Sequence, residues 1–138
     1  MHIPDTHRDL IDGRYYAALT TLMPNGYPQT TVVWCESVGD TVLINTMTRF
    51  RKAKNMARDP RVTLIVYDPK NPLRNIEIRG KVTEMTEDGA VEHNDHLTEH
   101  YLDKPGAKFF GDCIPEKFAE THTPVKITIT PLRIRTEG

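Results

Sequence analysis

The sequence predicts a mainly β fold with inserted helices (β+α): six antiparallel strands curled into a closed or nearly closed barrel. Three observations carry that reading. Apolar and polar side chains alternate over residues 74–83 and again over 125–130, the period of a strand with one buried face. Ten prolines and eight glycines punctuate 138 residues, as short strands joined by turns require. At Phe50, Ala53 and Ala57 the apolar spacing changes to three and four, the period of a helix set between strands.

The elements follow in order. Residues 5–13 read as a short helix, capped by Asp5 or Thr6 and stopped by Gly13. Residues 15–22 form a strand, and Asn25-Gly26 marks a hairpin, because both residues tolerate positive φ. A return strand spans 29–37, Gly39-Asp40 turns the chain, and 41–46 complete a three-strand meander. The helix of 49–58 ends at Asp59-Pro60, since proline disfavours helix in the residue before it. A β-branched run at 62–67 is a buried strand, and 68–72 a loop. In the alternating strand 74–83, Gly80 marks a bend or bulge that helps a sheet curl. A second helix runs from about 86 to 102. The loop of 103–123 carries a helical turn at 116–120 and is long enough to be a lid, or a surface loop packing Phe109 and Phe110. The last strand follows.

Length and composition bound the function. One domain, residues 1–138, is expected, and a chain of this size buries roughly two thirds of its surface on folding. With 38% hydrophobic and 27% charged residues, gross disorder is excluded. Eighteen basic and nineteen acidic residues give a net charge of −1, which argues against a nucleic-acid partner. No apolar run is long enough to span a bilayer, and the opening MHIPDTHRDLIDG lacks the apolar stretch of a leader. Two cysteines make no disulfide framework. The expectation is a cytoplasmic protein with reduced thiols and no membrane partner.

The segment Thr46-Met47-Thr48-Arg49-Phe50-Arg51-Lys52-Ala53-Lys54-Asn55 is the strongest chemical candidate. A strand feeds a helix start there, where backbone N–H groups are unpaired and the macrodipole is positive. Arg51 and Lys52 in the first turn oppose that dipole, a conflict that a bound phosphate would relieve. Between Arg49 and Arg61 six basic residues stand against one acidic residue. The alternative is a solvated cationic helix face. His93, His96 and His100 share one face of the second helix, but seven carboxylates surround them between 84 and 103 with no Lys or Arg. That segment reads as a polar face, and no metal is expected. Cys35 reads as a core or wall residue.

Taken together, the opening helix, the Pro24-Asn25-Gly26-Tyr27-Pro28-Gln29 turn, the strand Thr30-Thr31-Val32-Val33-Trp34, the element Lys52-x-x-Asn55-x-x-x-Asp59-Pro60 and the strand Ile78-Arg79-Gly80-Lys81-Val82 resemble the flavin/deazaflavin oxidoreductases with a pyridoxamine-phosphate-oxidase-like split β-barrel. The likeness spans about residues 7–130 and is nearest the small branch using coenzyme F420. It implies a homodimer with cofactor sites at the subunit interface. It implies that Lys52 and Asn55, flanked by Arg51, meet the cofactor phosphate. Thr46, Met47 and Thr48 match the strand-end segment, and Gln29, Thr30, Thr31 and Val32 the segment beside the ring. The Trp- and Arg-rich C-terminal segment of the vitamin B6 oxidases is not present, so that activity is not expected.

The function expected is an F420-dependent oxidoreductase that transfers a hydride to or from a small conjugated molecule. No catalytic acid or base is assigned; Tyr15, Tyr16, Trp34, Glu77 and Arg79 are candidates for the substrate side. The alternatives are an FMN-binding oxidoreductase of the same fold and a non-catalytic flavin- or tetrapyrrole-binding protein.

Overall fold

A computed structural model describes residues 1–138. It contains one seven-stranded antiparallel sheet and three α-helices. The helices are α1 (Arg8–Asp12), α2 (Arg51–Arg58) and α3 (Ala90–Leu102). The strands are β1 (Ala17–Leu22), β2 (Pro28–Val33), β3 (Glu36–Val38), β4 (Thr41–Met47), β5 (Arg61–Asp68), β6 (Asn71–Thr86) and β7 (Pro124–Glu137). The sheet order is β2-β1-β5-β6-β7-β4-β3. No helix is long and apolar enough to cross a membrane.

Seven strands, not six, make the sheet, because the expected return strand of 29–37 breaks at Trp34-Cys35. Its first half pairs with β1 and its second half with β4. The two halves therefore lie at opposite edges of the sheet and are joined by two residues. Three Cα steps reach about 11 Å. Six inter-strand spacings laid flat would put those edges about 29 Å apart. The sheet must curl until its edges meet. No β2–β3 ladder joins those edges, so the sheet is a curled one that is not closed, its edges bridged only by the chain.

Nineteen buried residues form one continuous core inside the curl. Ile3, Leu10 and Ile11 have no exposed surface and plug one end. Neither Asp5 nor Thr6 caps α1, whose first residue follows His7 without a side-chain cap. In the first hairpin only Gly26 takes positive φ, at +86°. The Gly26 N–H donates to the Met23 carbonyl, and the Met23 N–H to the Tyr27 carbonyl. The connection is thus a turn of 23–27 rather than a two-residue Asn-Gly turn. In α2 the buried face is Ala53, Asn55 and Met56. Phe50 is 41% exposed and Ala57 is exposed, contrary to the spacing-based face.

The long pair β6–β7 carries the strongest curvature. Its register shifts at Arg79/Gly80 and at Val82/Glu84, leaving Leu132 and Thr83 as extra residues. Such bulges increase twist. A Cβ on Gly80 would stand 2.6 Å from the Thr130 carbonyl oxygen, so the close approach of the two backbones requires glycine here. Gly80→Ala is expected to destabilise the fold by about 1–3 kcal/mol, seen as a lower urea midpoint at unchanged slope. Wild-type stability would show that the bulge opens freely.

Candidate functional site

β4 delivers the chain to the mouth of the barrel, and α2 begins after three intervening residues. The turn is held by Phe50 N–H to the Met47 carbonyl, 3.0 Å, and by Thr48 N–H to the Thr123 carbonyl, 2.9 Å. No side chain caps α2, and no acid stands in its first turn. Its leading N–H groups and its positive dipole end are left uncompensated.

A cleft of about 230 Å³ opens beside this helix start. One wall comes from Tyr16, Val32, Val33 and Trp34, the residues around the β2–β3 bend. Met47 and Phe50 form the wall at the α2 turn, and Leu97 and Phe109 the wall from α3 and the following loop. Four polar residues, Asn45, Thr46, Lys52 and Asn94, complete it.

The bend is pinned by Tyr101. Its hydroxyl accepts the Cys35 N–H at 3.0 Å and donates to the Tyr15 carbonyl at 2.8 Å. Its ring stacks on Trp34, with centroids 4.9 Å apart and planes 12° from parallel. Phe109 meets the Trp34 ring edge-on at 6.4 Å. The aromatic wall is thus fixed by packing and hydrogen bonds. Burial pushes the Cys35 thiol up to about 12, so this cysteine is an inert core residue behind the wall.

Lys52 is half-buried and makes none of the ion pairs in the molecule. Burial lowers its pKa below the usual lysine value, because desolvation disfavours the charged form. Three further polar atoms of the cleft are buried without a hydrogen-bond partner: Asn45 Oδ1, Thr46 Oγ1 and Asn94 Nδ2. Thr31 Oγ1 on β2 is in the same condition. Buried polar groups are almost always paired; Asn55 Oδ1 and His93 Nε2, on residues outside the cleft lining, are orphaned too, so it is the unpaired Lys52 beside the uncapped helix start that fits an anionic ligand.

The residues singled out from sequence divide. Val32, Thr46, Met47 and Lys52 line the cleft. Arg51, the first residue of α2, is exposed and outside the cleft lining; Thr48 is exposed beside a separate depression with Lys54 and Ala57, and Thr30 is exposed on β2. Asn55 and Gln29 do not enter the cleft. Asn55 has no exposed surface; its Nδ2 donates to Thr21 Oγ1 at 3.1 Å and to Gln29 Oε1 at 3.4 Å, clamping α2 to the β1–β2 hairpin. Tyr16 and Trp34 line the cleft, whereas Glu77 and Arg79 pair with each other at 3.2 Å on β6. Within the 103–123 loop Phe109 reaches the cleft. His93 and His96 face Glu36 at 3.3 and 3.1 Å, while His100 turns to the Asp12 carbonyl; the three do not converge. Asn45, Asn94 and Leu97 carry no local signal, because nothing in their sequence pattern brings α3 onto β4; Phe50, assigned by spacing to the buried face of the helix, instead lines the cleft.

Comparison with known proteins agrees with this architecture. The family model for pyridoxamine 5'-phosphate oxidase matches residues 3–133. The solved structure of an F420 reductase is 26% identical and covers 96% of this chain and 98% of its own, with a TM-score of 0.80. Rv2991 from Mycobacterium tuberculosis is 21% identical over 98% of this chain and 84% of its own, TM-score 0.71. General Stress Protein 26 from Bacillus anthracis is 18% identical over 99% and 95%, TM-score 0.68. The last two share the fold alone. No curated protein matches the chain.

Proposed function

Because this chain belongs to the pyridoxamine 5'-phosphate oxidase family, we propose that it is an F420-dependent reductase acting on a small conjugated molecule in the cytoplasm. The observation that carries the reading is Lys52: a half-buried cation without a counter-ion, at an uncapped helix start, on the rim of an aromatic-walled cleft. The solved F420 reductase supports the cofactor class. So does the charge beyond one phosphate, since Arg49, Arg51 and Lys54 are exposed on the same segment. The tail of F420 carries glutamate carboxylates in addition to its phosphate, whereas FMN offers a phosphate alone.

When bound in its reduced form, F420 would supply a hydride and be left oxidised, the acceptor taking that hydride together with a proton from solvent. The chain's residues bind and orient. Lys52 and the first N–H groups of α2 would hold the phosphate, with Arg51 and Thr48 adding charge and a hydroxyl. Val32, Trp34 and Phe109 would exclude water from one face of the ring. Asn55 acts behind the site, holding α2 in place.

The cleft of one chain, about 230 Å³, is smaller than the roughly 300–1,000 Å³ of usual ligand sites. Next to it, Val32, Ala18 and Ile65 lie in one row across β2, β1 and β5. Val32 is 68% and Ile65 37% exposed, with Tyr16 and Tyr67 nearby at 65% and 50%. An apolar sheet face of this kind is suited to burial in an interface. The proposal therefore includes a homodimer in which a second copy covers this face and completes each site.

Titration of the purified protein with F420 and with FMN tests the function. F420 should bind at micromolar levels and more tightly than FMN, and its oxidised spectrum lies to the blue of the flavin. Lys52→Ala should weaken binding by about 1.5–3 kcal/mol with an unchanged melting temperature; equal affinity in mutant and wild type would refute the phosphate assignment. Preference for FMN would keep the fold reading and replace the cofactor. Ile65→Glu should shift the protein from dimer to monomer in sedimentation; a wild-type monomer would remove the dimer proposal.

A further inference from the structure

Next to the cleft lies a second cavity, of about 310 Å³, that the cofactor reading does not use. Met47, Phe50 and Phe109 line both, so the two adjoin along these three side chains. The rest of the lining is Ile114, Pro115, Phe118 and His122, all from the loop of 103–123. Hydrogen bonds within the loop set this wall. The Gly111 N–H donates to the Ile114 carbonyl at 2.7 Å and the Ile114 N–H to the Phe109 carbonyl at 3.2 Å, which folds Ile114 back beside Phe109. Gly111, at φ +117°, permits that reversal. The Phe118 carbonyl accepts the N–H groups of Thr121 and His122 at 3.1 and 2.9 Å. The His122 ring then stands edge-on to Phe50 and to Phe118, with centroids 5.9 and 5.2 Å away.

The two cavities differ in chemistry. The cleft carries Lys52 and three further polar residues. In the second cavity no residue is a Lys, Arg, Asp or Glu, and His122 alone has a nitrogen or oxygen in its side chain. Its Nδ1 lies 2.9 Å from Thr121 Oγ1, which leaves Nε2 for a ligand. Because the Thr121 hydroxyl can donate or accept, either tautomer of the ring is supported. An ionised ligand would lose hydration here with nothing to pair it, whereas an uncharged aromatic one gains by leaving water and by ring contacts. We propose that this cavity is the substrate subsite, and that it takes an uncharged, flat aryl group whose carbonyl or hydroxyl bonds His122 Nε2. The inference rests on the reading of the adjoining cleft as a deazaflavin or flavin site, and it narrows the small conjugated substrate to this class. His122 is the specificity-determining residue, and charged aliphatic acids are selected against.

The test uses acetophenone, an aryl ketone, as the probe. Binding to the protein without cofactor is followed by NMR at the His122 ring, and F420 is titrated in parallel. Wild type should bind acetophenone with a Kd in the millimolar range or tighter, and mesityl oxide, a conjugated ketone without the aryl ring, at least about tenfold more weakly. Ile114→Trp fills the cavity from a position outside the cleft lining. It should bind acetophenone at least about tenfold more weakly and F420 as wild type does. His122→Phe keeps a ring in place and removes Nε2. It should weaken acetophenone about threefold to tenfold and leave unchanged the affinity for α-methylstyrene, in which a methylene replaces the carbonyl oxygen. Should Ile114→Trp not fold, His122→Phe and the ring-less ketone decide the matter. Wild-type binding of acetophenone by Ile114→Trp, or a parallel loss of F420 affinity, overturns the subsite. Equal losses of acetophenone and α-methylstyrene in His122→Phe overturn the role of His122. A wild type that binds F420 but not acetophenone sinks this inference alone; one that binds neither F420 nor FMN removes the cofactor reading, and the substrate role with it.

Discussion

Two residues, Trp34 and Cys35, join the opposite edges of a seven-stranded sheet, and the rest of the molecule follows from that short link. It forces the curl, and the curl needs the bulges of β6–β7, where only glycine fits at position 80. The link also places an indole at the barrel mouth. Tyr101 fixes it there by hydrogen bonds to the bend and by stacking on the ring. The same constraint that curls the fold therefore builds one wall of the cleft.

The opposite wall is electrostatic. A helix start with no cap and no acid meets a lysine that burial has partly desolvated. Each of these features is unfavourable alone. Basic side chains near a helix N-terminus oppose the dipole, and an unpaired ammonium loses solvation when buried. An anion at this point reverses both signs at once. Asn55, fully buried on the inner face of α2, keeps the helix in register with the hairpin, so the charge stays in place without the ligand.

Much of this was legible in the amino-acid sequence, because it depends on local period. The alternation of 74–83 located β6, Asp59-Pro60 located the end of α2, and Gly80 located a bulge. The strand-to-helix segment around Lys52 stood out through charge and helix-end physics together. Other features depended on contacts between distant residues. A continuous run from Gln29 to Ser37 gives no sign of a break, since the kink at Trp34-Cys35 is imposed by β3 pairing with β4. The buried face of α2 was misread because Phe50 lies before the helix and turns to the cleft. Asn55 carries the same motif position whether it faces ligand or core, and only the fold shows it bonded to Thr21 and Gln29. Asn45, Asn94 and Phe109 meet through α3 and its loop, which no local pattern docks onto β4.

The central claim is that Lys52 is a cation waiting for an anion. Its ionisation can be followed by NMR through the side-chain carbon and nitrogen beside the charge, in free protein and with F420 bound. The account predicts a pKa below the usual lysine value in the free protein, rising when the phosphate of F420 sits beside it. An ordinary lysine pKa that does not move on binding would contradict the account.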